Sequence, residues 1–308
     1  MKRRIFYSNT TLTHCYQRTA DSGLLFYTHS DYLVHFTGYC ITAKKYGIQV
    51  FGLCQMPDHI HDSVKAENQI RLEKFKRETN SSFSRQWNEL CHLKGPVLES
   101  PFGSAPKVGD KKARTCLVYV GNNPVERKLS AKAEDYKWNY LAYAASGHPF
   151  SDKLIVREAR WPMQKAVKEI KAMHAAGKSL NYSLLHRLFS TLDRRESLQL
   201  TDYIVRLYNV IDYNAAASYF GSYERMISAM HLTTGSEYDL NESFVGRSDS
   251  HYNRMTSILV KKYNLNDIHE ALSASGDDKY EMFQTLMRET GAMPEQIGKF
   301  LHLQIKRS

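Results

Sequence analysis

Up to about residue 150 the apolar positions switch between a period of two and a period near 3.6, the marks of strand and helix. Thr11 to Arg18 reads as a strand. Ser30 is placed to cap a helix from Asp31 to about Lys45. The β-rich run Ile48 to Cys54 ends in a turn at Met56-Pro57-Asp58, and a second strand follows from His59 to Val64. Residues 68 to 90 read as a helix bearing Arg71, Lys74, Lys76, Arg77 and Arg85. Gly95 to Val108 reads as a loop or hairpin. Asp110 then caps a short helix that Pro124 is expected to stop.

Past Gly147-His148-Pro149-Phe150-Ser151-Asp152 the pattern becomes almost wholly helical. Amphipathic stretches run near 162–176, 183–191, 198–211, 213–220, 222–231, 249–263, 266–274 and 278–290. A division follows, with one domain over 1–150 and an all-α domain over 151–308. Near the end, a helix from Glu281 to Thr290, a turn at Gly291-Ala292-Met293 and a helix from Pro294 to Leu303 make a helix-turn-helix pattern. Its second helix would present Glu295, Gln296, Lys299 and His302, a candidate surface for duplex DNA.

Composition narrows the class. The chain has 308 residues and a hydrophobic fraction of 42%, normal for a globular protein. No apolar run approaches the roughly 18 residues of a membrane span. The basic start Met1-Lys2-Arg3-Arg4 lacks the apolar core of a secretory signal, so a cytoplasmic location is expected. Five cysteines without CxxC spacing point to reduced, packed thiols rather than disulfides or a zinc knuckle. The net charge of +10 sits mostly in the first half. Residues 1–155 carry 22 Lys and Arg against 14 Asp and Glu, and the remainder carries 20 against 18. The first half is therefore the better polyanion binder.

His59 and His61 stand two apart on the expected strand, so they share a face about 7 Å apart and can share one metal ion. On the following helix Ala113, Cys116, Leu117 and Val120 form the packing face. Tyr119 and Asn123, four apart, neighbour each other at its edge, and Lys112 projects from the same side. A phenol can attack a phosphodiester, a metal can polarise the phosphate, and a cation can offset the developing charge. Two imidazoles and the Asn123 oxygen suit a hard ion such as Mg²⁺ or Mn²⁺. Lys107, Lys111, Lys112, Arg114 and the basic helix at 68–90 are candidate phosphate contacts, and Phe83, Trp87 and Phe102 candidate stacking platforms.

Gln55-Met56-Pro57-Asp58-His59-Ile60-His61 resembles the HUH motif in its transposase form. Tyr119-Val120-Gly121-Asn122-Asn123-Pro124-Val125 resembles the tyrosine signature of REP-associated tyrosine transposases, relatives of the insertion-sequence 200-like enzymes. Weaker echoes are Gln17-Arg18-Thr19, Gly95-Pro96-Val97-Leu98 and Asp135-Tyr136-Lys137-Trp138-Asn139-Tyr140, so the resemblance spans about residues 5 to 145. It implies an α+β fold, an antiparallel sheet flanked by helices in the ferredoxin-like manner of HUH nucleases. His59, His61 and Asn123 map onto the metal ligands and Tyr119 onto the nucleophile that becomes joined to a DNA 5′ phosphate. The implied substrate is single-stranded DNA beside a hairpin, handled by a monomer or homodimer. A domesticated, inactive DNA-binding regulator is the alternative. Two positions depart from the family pattern. Asp62 follows the motif where an apolar residue is usual, as an extra polar group near the metal or a sign of a drifting site. Gly121 should weaken its helix by roughly 1 kcal/mol.

Overall fold

The computed structural model describes residues 8–232 and 251–303; the basic start at 1–7 and the first two residues of the helix expected at 249–263 lie outside them. Four strands, β1 (Leu12–Arg18), β2 (Gln49–Met56), β3 (His59–Lys65) and β4 (Gly103–Lys107), form one sheet in the order β2-β3-β1-β4. Every neighbouring pair is antiparallel. Helix α1 (His29–Tyr46) joins β1 to β2, and α2 (Gln69–Leu90) joins β3 to β4. Two β-α-β units are thus interleaved, each with a strand of the other between its own two.

Strand β4 corrects the loop or hairpin expected over Gly95 to Val108. Its sequence, Gly-Ser-Ala-Pro-Lys, has no apolar alternation to read, and it pairs with β1 from Leu12↔Lys107 to Tyr16↔Gly103. It lies at the sheet edge, the position that tolerates Pro106.

Because strand side chains alternate, the sheet has two distinct faces. Cys15, Leu53, Ile60 and Val64 pack under α1 and α2. Leu12, Cys54 and Met56 pack under α3 (Asp110–Glu126), whose Ala113, Cys116, Leu117 and Val120 are all buried there. Two expected caps shift. Thr28, not Ser30, caps α1, in a reciprocal box with Asp31. Gly109 precedes α3, and Pro124 lies inside its last turn, with the helix ending two residues later.

The second half supplies α4 (Trp161–Ala175), α5 (Tyr182–Phe189), α6 (Arg194–Tyr208), α7 (Tyr213–Ser218), α8 (Tyr223–Leu232), α9 (His251–Lys262), α10 (Glu270–Ser273), α11 (Gly276–Thr290) and α12 (Pro294–Phe300). No described helix is long and apolar enough to cross a membrane. Met163, Ile170, Leu185, Leu200, Ile204 and Tyr208 share one continuous core with Leu33, Phe36 and Val50. Residue 150 therefore marks a change in element type, and the packing runs across it.

Two polar seams reinforce that union. The buried Asp31 carboxylate accepts from the backbone of Tyr27 (2.8 Å) and Thr28 (2.7 Å) and from the Tyr182 hydroxyl (2.8 Å). It also lies 3.0 Å from His269 Nε2. At the other seam the Tyr27 hydroxyl donates to the Phe300 carbonyl (2.6 Å), and the Leu24 amide to that of Lys299 (3.1 Å). His302 lies 2.6 Å from Asp21 and covers Gly23, where a Cβ would run into the imidazole.

Gly121 has a packing reason. A Cβ there would lie 2.8 Å from Met230 Sδ, so its absence lets α8 approach α3. Asn122 Nδ2 donates to the Met230 carbonyl (2.7 Å) at the same crossing.

Candidate active site

Strand β3 turns His59, His61 and Ser63 to the α3 side of the sheet and Ile60, Asp62 and Val64 to the other. Both histidines are buried, with ring centroids 4.8 Å apart and nearly perpendicular. Helix α3 crosses above them. Its Tyr119 ring lies 5.3 Å from that of His61, and Asn123, one turn on, places Oδ1 3.2 Å from His59 Nε2. Residues some sixty positions apart thus converge, and Tyr119 itself is only 5% exposed.

Neighbours hold the two imidazoles. Asp58 Oδ1 lies 2.6 Å from His59 Nδ1. That contact orients the ring, with Nε2 facing Asn123 Oδ1. Lys299 of α12 pairs with the other oxygen of Asp58. Burial alone would raise the Asp58 carboxyl, but the His59 and Lys299 charges outweigh it and hold it well below the usual range. On the other side, His14 Nε2 is 3.0 Å from His61 Nδ1 and the two rings stack. Burial, with the charges of His59 and His14, drives His61 well below its ordinary value. Burial, with Lys107 and Lys76, pushes His14 down to about 3. Both rings are therefore neutral near pH 7.

His14 and Asp58 were not anticipated as site residues. His14 carries no local signal, because only the register Tyr16↔His61 brings β1 beside β3. Asp58 read as a turn residue. Tyr16, across from His61, lies over Gly103 with 38% of its surface exposed.

Several expected roles change. Asp62 is not near the metal candidates. It faces the opposite side, where it pairs with the buried Lys76 and accepts from the Tyr39 hydroxyl (2.8 Å). Lys76 is thereby removed from the phosphate-contact group, and the whole basic helix α2 lies across the sheet from Tyr119. Phe83 and Trp87 are core residues, the Trp87 indole donating to the Leu25 carbonyl (3.2 Å), and Phe102 is half-buried. Gln296 is buried, with its Oε1 capping the Met293 amide. Lys299 and His302 are spent on Asp58 and Asp21, so these polar groups face the protein body and not solvent. Lys111 and Lys112 are exposed at the start of α3, Lys107 is half-buried at the end of β4, and Arg114 donates to the Tyr219 carbonyl (3.3 Å).

Among the described residues, no three His, Cys, Asp or Glu side chains converge as a metal cluster. The donors present are two imidazoles and one amide oxygen, a set that fits a hard divalent ion only if substrate or water oxygens complete the shell. All five cysteines are buried free thiols.

No family model matches this chain, and no curated protein sequence matches it. One solved structure is similar, that of a REP-associated tyrosine transposase bound to a REP hairpin. Identity is 14% and the TM-score 0.39, with 48% of this chain and 87% of that chain covered.

Proposed function

We propose that the protein is a metal-dependent single-stranded DNA endonuclease and strand transferase, working beside DNA hairpins with Tyr119 as its nucleophile. The observation that supports this best is the convergence of Tyr119 and Asn123, from one helix, on His59 and His61, from one strand. The interleaved β-α-β topology supports a ferredoxin-like description of the sheet.

The residues divide the work. His59, His61 and Asn123 would hold Mg²⁺ or Mn²⁺. When bound, such an ion polarises the scissile phosphate. Tyr119 Oη forms the new bond to phosphorus as the bond to the leaving 3′ oxygen breaks. The tyrosine loses its proton and the leaving oxygen gains one. One phosphodiester replaces another, so a later 3′ hydroxyl can reverse the step without an external energy source. Asp58 and His14 would hold the two imidazoles in place. Lys107, Lys111, Lys112 and Arg114, around the start of α3, are the proposed phosphate contacts.

The test is incubation of hairpin-bearing single strands with Mg²⁺ or Mn²⁺, followed by denaturing gel analysis. A covalent protein–DNA adduct is expected, and its loss in Tyr119→Phe. An adduct persisting in that variant removes Tyr119 from the role. The near-complete burial of Tyr119 favours one second reading, a DNA-binding regulator without catalysis. Binding across hairpins and metals with no cleavage would establish it.

A further inference from the structure

A cavity of about 120 Å³ opens beside Pro57, two residues before His59 in the chain. Its walls are aromatic: Phe26, Tyr32, Tyr136, Trp138, Tyr252 and Phe300. Tyr32 is sandwiched, 4.3 Å from Trp138 at an interplanar angle of 2° and 4.5 Å from Phe26 at 21°. The pile is preformed, and each of its three rings is less than a tenth exposed. The size is of the order of the roughly 150 Å³ engineered cavity that admits benzene, so one planar aromatic group is the natural guest.

Its position ties it to the chemistry. Pro57 lines it, two residues before His59, and the amides of Leu25 and Phe26 hold the Pro57 carbonyl at 2.7 and 3.0 Å. Leu129 lines it from just beyond α3, its amide donating to the Pro124 carbonyl (2.9 Å) next to Asn123. Both segments that carry the metal candidates therefore border it. Its rim carries the exposed His29 and Asn253, whose ring nitrogens and amide match the hydrogen-bonding edge of a base.

We propose that this cavity seats one unstacked nucleobase of the single strand held at the histidine pair, an inference that rests on the nuclease reading above. Every base has a face to stack, so the site selects position along the strand more than sequence. Tyr252 and Phe300 come from the helical half, which gives that half a direct part in substrate binding.

The experiment uses the full chain and hairpin oligonucleotides with single-stranded flanks of mixed sequence. Each flank nucleotide is replaced in turn by an abasic residue. One position is expected to lose roughly 5- to 150-fold in affinity, the range for a single stacked base, while its neighbours lose little. A fluorescent base analogue at that position is quenched on binding. Thr256→Trp, which fills the cavity, should weaken intact DNA by the same factor and cancel the abasic penalty; Asn253→Trp at the exposed rim serves if the first variant does not fold. An even penalty along the flank, or an unchanged one in a folded variant, overturns the pocket. If the Tyr119 adduct still forms in that case, the nuclease reading stands without it. Failure to bind any single-stranded probe removes both.

Discussion

His269 offers a stability test that is independent of catalysis. It is 1% exposed, with Nε2 3.0 Å from Asp31 and Nδ1 paired with Asp267. Burial alone would lower its pKa, but the two carboxylates outweigh burial and raise it from 6.5 to about 10. A group whose pKa is higher in the folded state stabilises the fold fully below its unfolded value. That contribution is lost as pH rises through the folded one. Stability from this contact is therefore complete below pH 6.5 and drains between 6.5 and about 10. At 1.36 kcal/mol per pH step the loss is at most about 5 kcal/mol. The perturbation is His269→Gln, which removes the titrating group and leaves lysines, tyrosines and thiols to titrate in both proteins. Urea unfolding of each across this range gives the difference in stability. That difference should be largest at the acid end and shrink steadily toward pH 10. A difference that stays constant with pH would show that His269 carries no charge linked to folding.

Three further outcomes are expected. Asp62→Asn leaves Lys76 charged and buried without its partner, which should cost about 3–5 kcal/mol in thermal unfolding. Because Asp62 faces away from His59, calorimetric titration of the folded variant with Mn²⁺ should match the parent, and a weakened response would contradict that sidedness. Lys299→Met strips Asp58 of its cation and should lower Mn²⁺ affinity by roughly 10-fold or more, with Lys299→Arg restoring most of it; equal affinities in all three proteins would separate Lys299 from the site. A thiol reagent should label no cysteine of the native protein and five after unfolding, since all five are buried and burial raises the Cys116 thiol to about 11. Rapid labelling of the native chain would place one at the surface.

Local periodicity carries far in this chain. Strands one to three and the three helices of the first half follow from apolar spacing, as does the helical second half, with ends displaced by a few residues. The pairing of His59 with His61, and of Tyr119 with Asn123, follows from the repeat of a strand and of a helix. That Asp62 faces away from His61 was also legible, since one residue along a strand reverses the side. Its proximity in sequence had suggested the contrary.

What sequence alone could not supply depends on which elements touch. Strand β4 has no internal pattern and exists because β1 offers it an edge. His14 joins His61 only through strand register. Lys299 reaches Asp58 across 241 positions, which turns a surface lysine of an expected DNA-reading helix into a support for His59. Gly121, costly by helix propensity, is explained by Met230 alone. Chain spacing dictates which side chains share a face, because backbone geometry is local. Which face meets which is settled by the burial of apolar surface over the whole chain, and here that decided the neighbours of every histidine at the site.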